Sequence, residues 1–155
     1  MRRLVRLLQR LVIIAIGRGV YVNGFEARRP LFEVRLPNTA WVDAMTWLRA
    51  QPGALHVLAD PAHAWKYGVS VRVAAEKDVL VESSKDAALS MYDHDIAVRT
   101  AERQRALDNF DQMTLADVRA LAARFDLDVF VDGGHRSFEL PVLYRNAEFV
   151  VYSLR

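Results

Sequence analysis

TLADVRALAARFDLDVFVDGGH, residues 114–135, carries the reading that decides the fold. Thr114 followed three residues later by Asp117 has the spacing of a capping box, with aspartate in the place of the usual Glu or Gln. Val118, Leu121, Ala122 and Phe125 then recur at i, i+3, i+4 and i+7, the period of a helix with one buried face. Asp126-Leu127-Asp128 leads straight into the apolar strand 129–131, and Gly133-Gly134 makes the loop beyond it. A helix running into a short, fully apolar strand is the unit of an α/β sheet.

Working outward from this unit, the same alternation continues. Residues 83–107 read as helical, with a break near Tyr92-Asp93, and 79–81 as a short buried strand. Residues 62–75 suit both periods, since Val69, Val71 and Val73 alternate. Asp60-Pro61 is a start signal, so one helix is expected there. Residues 54–59 read as a strand. Before it lies a helix capped by Asn38 or Thr39, with Trp41, Ala44, Met45 and Leu48 as its buried stripe and Pro52-Gly53 as its stop. Residues 31–36 alternate apolar and charged side chains like a half-buried strand. On the far side, 140–143 and 149–154 form an antiparallel hairpin over an Arg145-Asn146 turn. The expected fold is α/β: a small mixed sheet, partly parallel with a C-terminal antiparallel hairpin, and helices packed on it.

The bulk composition agrees. The 155 residues are 52% hydrophobic and 26% charged, enough for one domain with a core. With 21 Lys and Arg against 19 Asp and Glu, the net charge of +2 gives no broad basic face, so nucleic acid is not an expected partner. The absence of cysteine excludes disulfides, thiolate metal sites and a cysteine nucleophile.

Positive charge gathers at the N-terminus, as Arg2, Arg3, Arg6, Arg10 and Arg18. On a helix the first four fall on one side, and Leu4, Leu7, Leu8 and Leu11 on the other. Ile13, Ile14 and Ile16 extend the apolar part. The uncharged run 11–17 is far below the ~20 residues that span a bilayer, and no signal-peptide pattern is clear. Two readings stand: an interfacial, membrane-proximal helix or a truncated transmembrane segment, or else a surface helix, or a strand over 11–16, packed on the domain. The domains are therefore residues 1–23, a basic apolar helix, and 24–155, a single α/β domain.

In open α/β sheets ligands favour the carboxyl ends of strands. Strand 54–59 is followed by Asp60-Pro-Ala-His63, and strand 129–131 by Asp132-Gly-Gly-His135. Asp60, His63, Asp132 and His135 are the candidate site. Imidazole and carboxylate are ligands for zinc or a similar cation, or an acid/base pair. The plain alternative is that both aspartates cap turns and both histidines face solvent. Trp65, Lys66 and Tyr67, with Arg72, suit stacking on and pairing with a sugar or phosphate; equally, the aromatics suit a core. Tyr92-Asp93-His94-Asp95 reads as a helix start. No G-x-G-x-x-G, P-loop or G-x-S-x-G pattern occurs, and no cofactor is expected.

The stretch ADPAHAWKYG (59–68), with SVRVA (70–74) and DVLVE (78–82), resembles the C-terminal soluble domain of bacterial polytopic membrane proteins. RGVYV (18–22), Met91-Tyr92, ARFDLD (123–128) and Val151-Tyr152 extend the likeness over most of the chain from Arg18. The membrane part of such proteins is similar to integral-membrane glycosyltransferases that use lipid-linked sugars. The resemblance implies an extracytoplasmic, membrane-associated accessory domain without catalytic residues of its own, following a transmembrane portion missing from this sequence. It also implies contact with a glycan or lipid-linked sugar. The competing expectation, from the residues alone, is a small metal-dependent or acid/base enzyme using the strand-end Asp and His residues. A plain interaction module is a third.

Overall fold

The structure is a computed structural model that describes residues 2–22 and 37–155, with side chains from Gln9 onward. The expected strand 31–36 lies outside the described residues. The chain divides into two units, 1–37 and 38–155.

In the first unit, α1 (Arg2–Tyr21) is one continuous helix. Leu11, Val12, Ile13, Ile14 and Ile16 are all exposed, between 52% and 68%. At 100° per residue these five positions encircle the helix, so this turn and a half is apolar on every side. No described helix is long and apolar enough to cross a membrane.

The second unit is a mixed α/β fold. Its elements are α2 (Ala40–Arg49), β1 (His56–Leu58), α3 (His63–Tyr67), α4 (Val71–Ala74), β2 (Asp78–Val79), α5 (Ser83–Leu89), α6 (His94–Ala106), a 3-10 turn (Phe110–Gln112), α7 (Leu115–Phe125), β3 (Val129–Asp132), β4 (Val142–Arg145) and β5 (Val150–Ser153). The strand order is β2-β1-β3-β5-β4. β2, β1 and β3 run parallel, and β5 joins β3 and β4 antiparallel.

Local chemistry explains most boundaries. The Thr39 side chain caps α2 by accepting from the Val42 amide, and Trp41, Ala44, Met45 and Leu48 are its buried stripe. The Thr114–Asp117 capping box starts α7, as its spacing predicts. The single helix expected over 62–75 is two short helices. Gly68 adopts a left-handed conformation at φ +81 and ends α3, and Ser70 then caps α4 by accepting from the Val73 amide. The helical stretch after β2 breaks at Tyr92-Asp93, where Asp93 caps α6.

Side chains along the strands alternate between two cores. Val57, Ala59, Val129, Val131 and Val151 face one cluster with α2 and α4. Leu58, Phe130, Val150 and Tyr152 face the other, with Phe110, Val118 and Leu121. The chain steps from β1 to β2 across the first face through α3 and α4. It returns over β1 to β3 across the second, through α5, α6 and α7. With right-handed crossovers, this reversal opens a crevice at the carboxyl ends of β1 and β3.

The loop leaving β3 depends on Gly134. Its φ is +68, and a Cβ there would sit 2.9 Å from the Glu148 carbonyl oxygen. Gly68 has a similar φ with nothing within 4 Å. Gly68→Ala is therefore expected to cost roughly 1–2 kcal/mol from backbone conformation alone. Gly134→Ala should cost at least about 1 kcal/mol more, because backbone must also move. Urea unfolding of the two variants measures the difference.

Candidate functional site

β1 and β3 pair in register, Val57 with Val129 and Leu58 with Phe130. Asp60 stands two residues past the end of β1 and Asp132 ends β3, so both aspartates lie at the sheet's carboxyl edge and line one cleft. The loop after β1 folds tightly around Asp60. Its Oδ1 accepts from the Ala62 amide at 2.7 Å, and its Oδ2 pairs with Lys66. Asp132 is almost fully buried and pairs with Arg136, one helical turn along in sequence. The Arg136 guanidinium also donates to the Phe110 carbonyl at 2.8 Å and lies over the Phe110 and Phe138 rings. Each strand-end carboxylate thus has its own cation, as burial of charge demands.

These groups line a cleft of about 590 Å³, with Tyr67, Phe110, Val131, Gly133, Gly134, His135, Ala147 and Glu148. One wall is an aromatic cluster. Tyr67 lies 4.7 Å from the Trp41 ring and 5.0 Å from Phe149, and Trp41 donates to the Val69 carbonyl. Trp41, Tyr67 and Phe149 all line the cleft, and Tyr67, half-buried where the other two are buried, is the most accessible of the three. His135, Asp111 and Glu148 are exposed at the rim. Burial first, then Asp60, pushes the Tyr67 hydroxyl above its ordinary pKa, with Asp111 and Asp132 adding to the effect. The hydrogen bond to Asp60 holds the Lys66 ammonium above its usual value.

Of the residues singled out from sequence, Asp60, Lys66, Tyr67, Asp132 and His135 come together here. His63 does not. It is fully buried behind the β1 loop, where its Nδ1 donates to the Asp60 carbonyl at 2.7 Å and its Nε2 accepts from the Val71 amide at 3.2 Å. One bond ties α3 to the loop after β1 and the other ties it to the start of α4, so His63 has no lone pair for a metal. Among the described residues, no group of three or more His, Asp or Glu side chains is placed to hold a metal ion. Trp65 is 85% exposed and outside the cleft.

Arg72 belongs to a separate ion network. It grips Asp86 through both carboxylate oxygens, at 2.6 and 3.2 Å, and donates to the Val79 carbonyl. Fully buried Glu82 lies between Arg72, at 3.8 Å, and Lys85, at 3.2 Å. Burial alone would raise the pKa of Asp86, but the Arg72 hydrogen bond and the Glu82 amide outweigh it and hold the carboxyl below its usual range. Sequence reasoning missed Arg136, Phe110, Asp111 and Glu148 as cleft residues. Only the i,i+4 spacing of Asp132 and Arg136 was a usable signal.

No family model, curated protein or solved structure matches the chain.

Burial is the largest influence on His63 and lowers its pKa below 6.5. The folded protein therefore keeps His63 neutral where the unfolded chain takes up a proton, and stability must fall as pH drops below the unfolded value. Below about pH 6.5, and only as far down as the lowered folded-state value, one such proton contributes a slope of at most about 1.4 kcal/mol per pH unit. Urea titrations across that window should show this slope, and His63→Gln should flatten it, whatever its own loss of stability.

Proposed function

We propose that unit 38–155 is a non-catalytic binding module for a hydroxyl-rich, glycan-like ligand. It acts as an accessory domain of a membrane-associated, glycosyltransferase-like protein, on the extracytoplasmic side. The observation that carries the reading is the cleft at the carboxyl ends of β1 and β3. A pocket there joins a half-buried aromatic ring, Tyr67, to polar groups of both kinds: acceptors on Asp60 and Asp132, donors on Lys66 and Arg136. Sugar rings present an apolar face and a rim of hydroxyls, which this mixture suits. The glycosyltransferase-like context and the extracytoplasmic side rest on the resemblance over residues 59–82 and its extensions.

Membrane association is supported by α1. Its turn and a half of exposed apolar side chains requires an apolar environment on all sides, and the arginines at 2, 3, 6, 10 and 18 suit anionic headgroups. The enzyme reading keeps one observation in its favour, that Asp60 and Asp132 line the same cleft. Against it, each carboxylate is already matched by a cation, and His63 is a structural brace.

Two measurements test the proposal. Titrating the full chain with a neutral hexose should move the amide resonances of residues 133–136 and 147–149, and Tyr67→Ala should weaken the response by about fivefold or more, the scale of a lost ring contact. The proposal fails if no cleft resonance moves. For α1, the full chain should co-sediment with phosphatidylglycerol vesicles at low salt, and salt should weaken this through screening. Ile13→Ser with Ile14→Ser should reduce vesicle binding by roughly tenfold or more, since a buried isoleucine contributes about 1.5–3 kcal/mol. Its urea midpoint should match that of the parent; a large loss of stability would mean that protein covers these side chains.

A further inference from the structure

The helix that carries Tyr67 to the cleft is lightly held. Of the five residues of α3 only His63 is buried; Trp65 and Lys66 are exposed and Tyr67 is half-buried. A helix this short has no stability of its own, so its position depends on what it packs against. The chain is pinned on both sides of it. The Pro61 carbonyl accepts from the Ser83 amide at 2.9 Å, and the Val69 carbonyl accepts from the Trp41 indole at 2.9 Å. Between the pins, Gly68 is left-handed, with nothing within 4 Å of where a Cβ would stand. Lys66 pairs with Asp60, in the loop that leads into α3, and so ties the segment to its own entry.

Two ties reach beyond the segment. The Tyr67 ring packs on Trp41 and Phe149, and the His63 Nε2 accepts from the Val71 amide at the start of α4, at 3.2 Å. The second tie depends on a single lone pair. Nδ1 faces the Asp60 carbonyl, which can only accept, so Nδ1 carries the hydrogen and Nε2 is bare. A proton on Nε2 sets one donor against another and places a charge where the ring is fully buried. The charged groups facing the ring are Asp60 before α3, Glu82 before α5 and Arg72 on α4. The two carboxylates favour the proton, but Lys66 answers Asp60, and Lys85 and Arg72 answer Glu82. Burial outweighs them and holds the His63 pKa down. In water the imidazole returns to about 6.5, so acid favours its release.

We propose that α3 is an acid-released flap: protonation of His63 at Nε2 breaks the bond to Val71, and α3 turns about Gly68 and takes Tyr67 off the cleft wall. The consequence for ligand, a cleft that lets go as pH falls, rests on the reading of the cleft as a glycan site; the flap itself does not.

The test uses the full chain between pH 7.5 and 5, followed by NMR. Exchange protection of the Val71 amide, measured relative to the Phe130 and Val131 amides of β3 in the same sample, is expected to fall by up to about tenfold per pH unit below about pH 6.5. Contacts between the Tyr67 and Phe149 rings should weaken in step. The imidazole 15N resonances of His63 should show Nε2 bare at pH 7.5 and protonated over the same range. His63→Gln should make the relative protection of Val71 independent of pH, whatever its level. His135→Gln, which alters the exposed histidine of the cleft, should leave the pH dependence of Val71 in place. The hexose response should weaken over this range toward the level of Tyr67→Ala. Relative protection that does not change with pH, loss of β3 protection in step with Val71, or a protonated His63 beside a still protected Val71 overturns the flap. If the flap opens but hexose moves no cleft resonance at pH 7.5, the glycan reading falls and the flap stands; if hexose binds equally at both ends of the range while the flap opens, the link between them is overturned.

Discussion

The in-register parallel pairing of β1 with β3 is the constraint on which the second unit depends. Parallel strands cannot be joined by a tight turn, so the chain must leave one face of the sheet, reach β2, and come back across the other face. That path covers both faces and makes two cores, one under α2 and α4 and one under α7 and the 3-10 turn. It also leaves the carboxyl ends of β1 and β3 uncovered, because the chain leaving β1 crosses to β2 on one side and the chain leaving β3 goes to the antiparallel β4–β5 pair on the other. Asp60 and Asp132 line one cleft for this reason alone.

Placing carboxylates at such an edge has an electrostatic consequence. Three of them, on or beside the ends of the three parallel strands, are wholly or mostly buried: Asp60, Glu82 and Asp132. Each is answered by a cation close in sequence: Lys66 for Asp60, Lys85 for Glu82, Arg136 for Asp132. Arg72 adds a longer-range link among Glu82, Asp86 and the end of β2. Removing one partner from a buried pair leaves an uncompensated charge, so these cations act first as structural elements. What remains for a ligand is the part of the cleft that is not internally matched.

Much of the fold was legible in the chain because its signals are local. The Thr114–Asp117 box, the apolar stripe of α2, the cap at Asp93 and the terminal hairpin each need only neighbours within a few residues. The break within 62–75 is local too: Gly68 and the Ser70 cap outweigh the start signal at Asp60-Pro61 once a left-handed residue is needed to turn the chain. The candidate site was legible in part. That strand-end aspartates mark the crevice follows from the sheet's polarity, whereas Phe110, Asp111 and Glu148 arrive from segments whose position no sequence spacing encodes.

The sequence by itself determined the element types, the α/β class, the Asp residues at the strand ends and the basic, apolar character of residues 1–18, because periodicity, capping and turn chemistry act over a few residues. Only the tertiary structure decided which strands are neighbours and which polar atoms stay free. The Asp128 carboxylate reaches across to the His56 amide over 72 residues, Asn146 to the Ala40 carbonyl over 106, and His63 gives its last lone pair to Val71. A lone pair or a charge is available to a ligand only after the fold has taken what its own buried groups require, and that subtraction is a property of the packed chain.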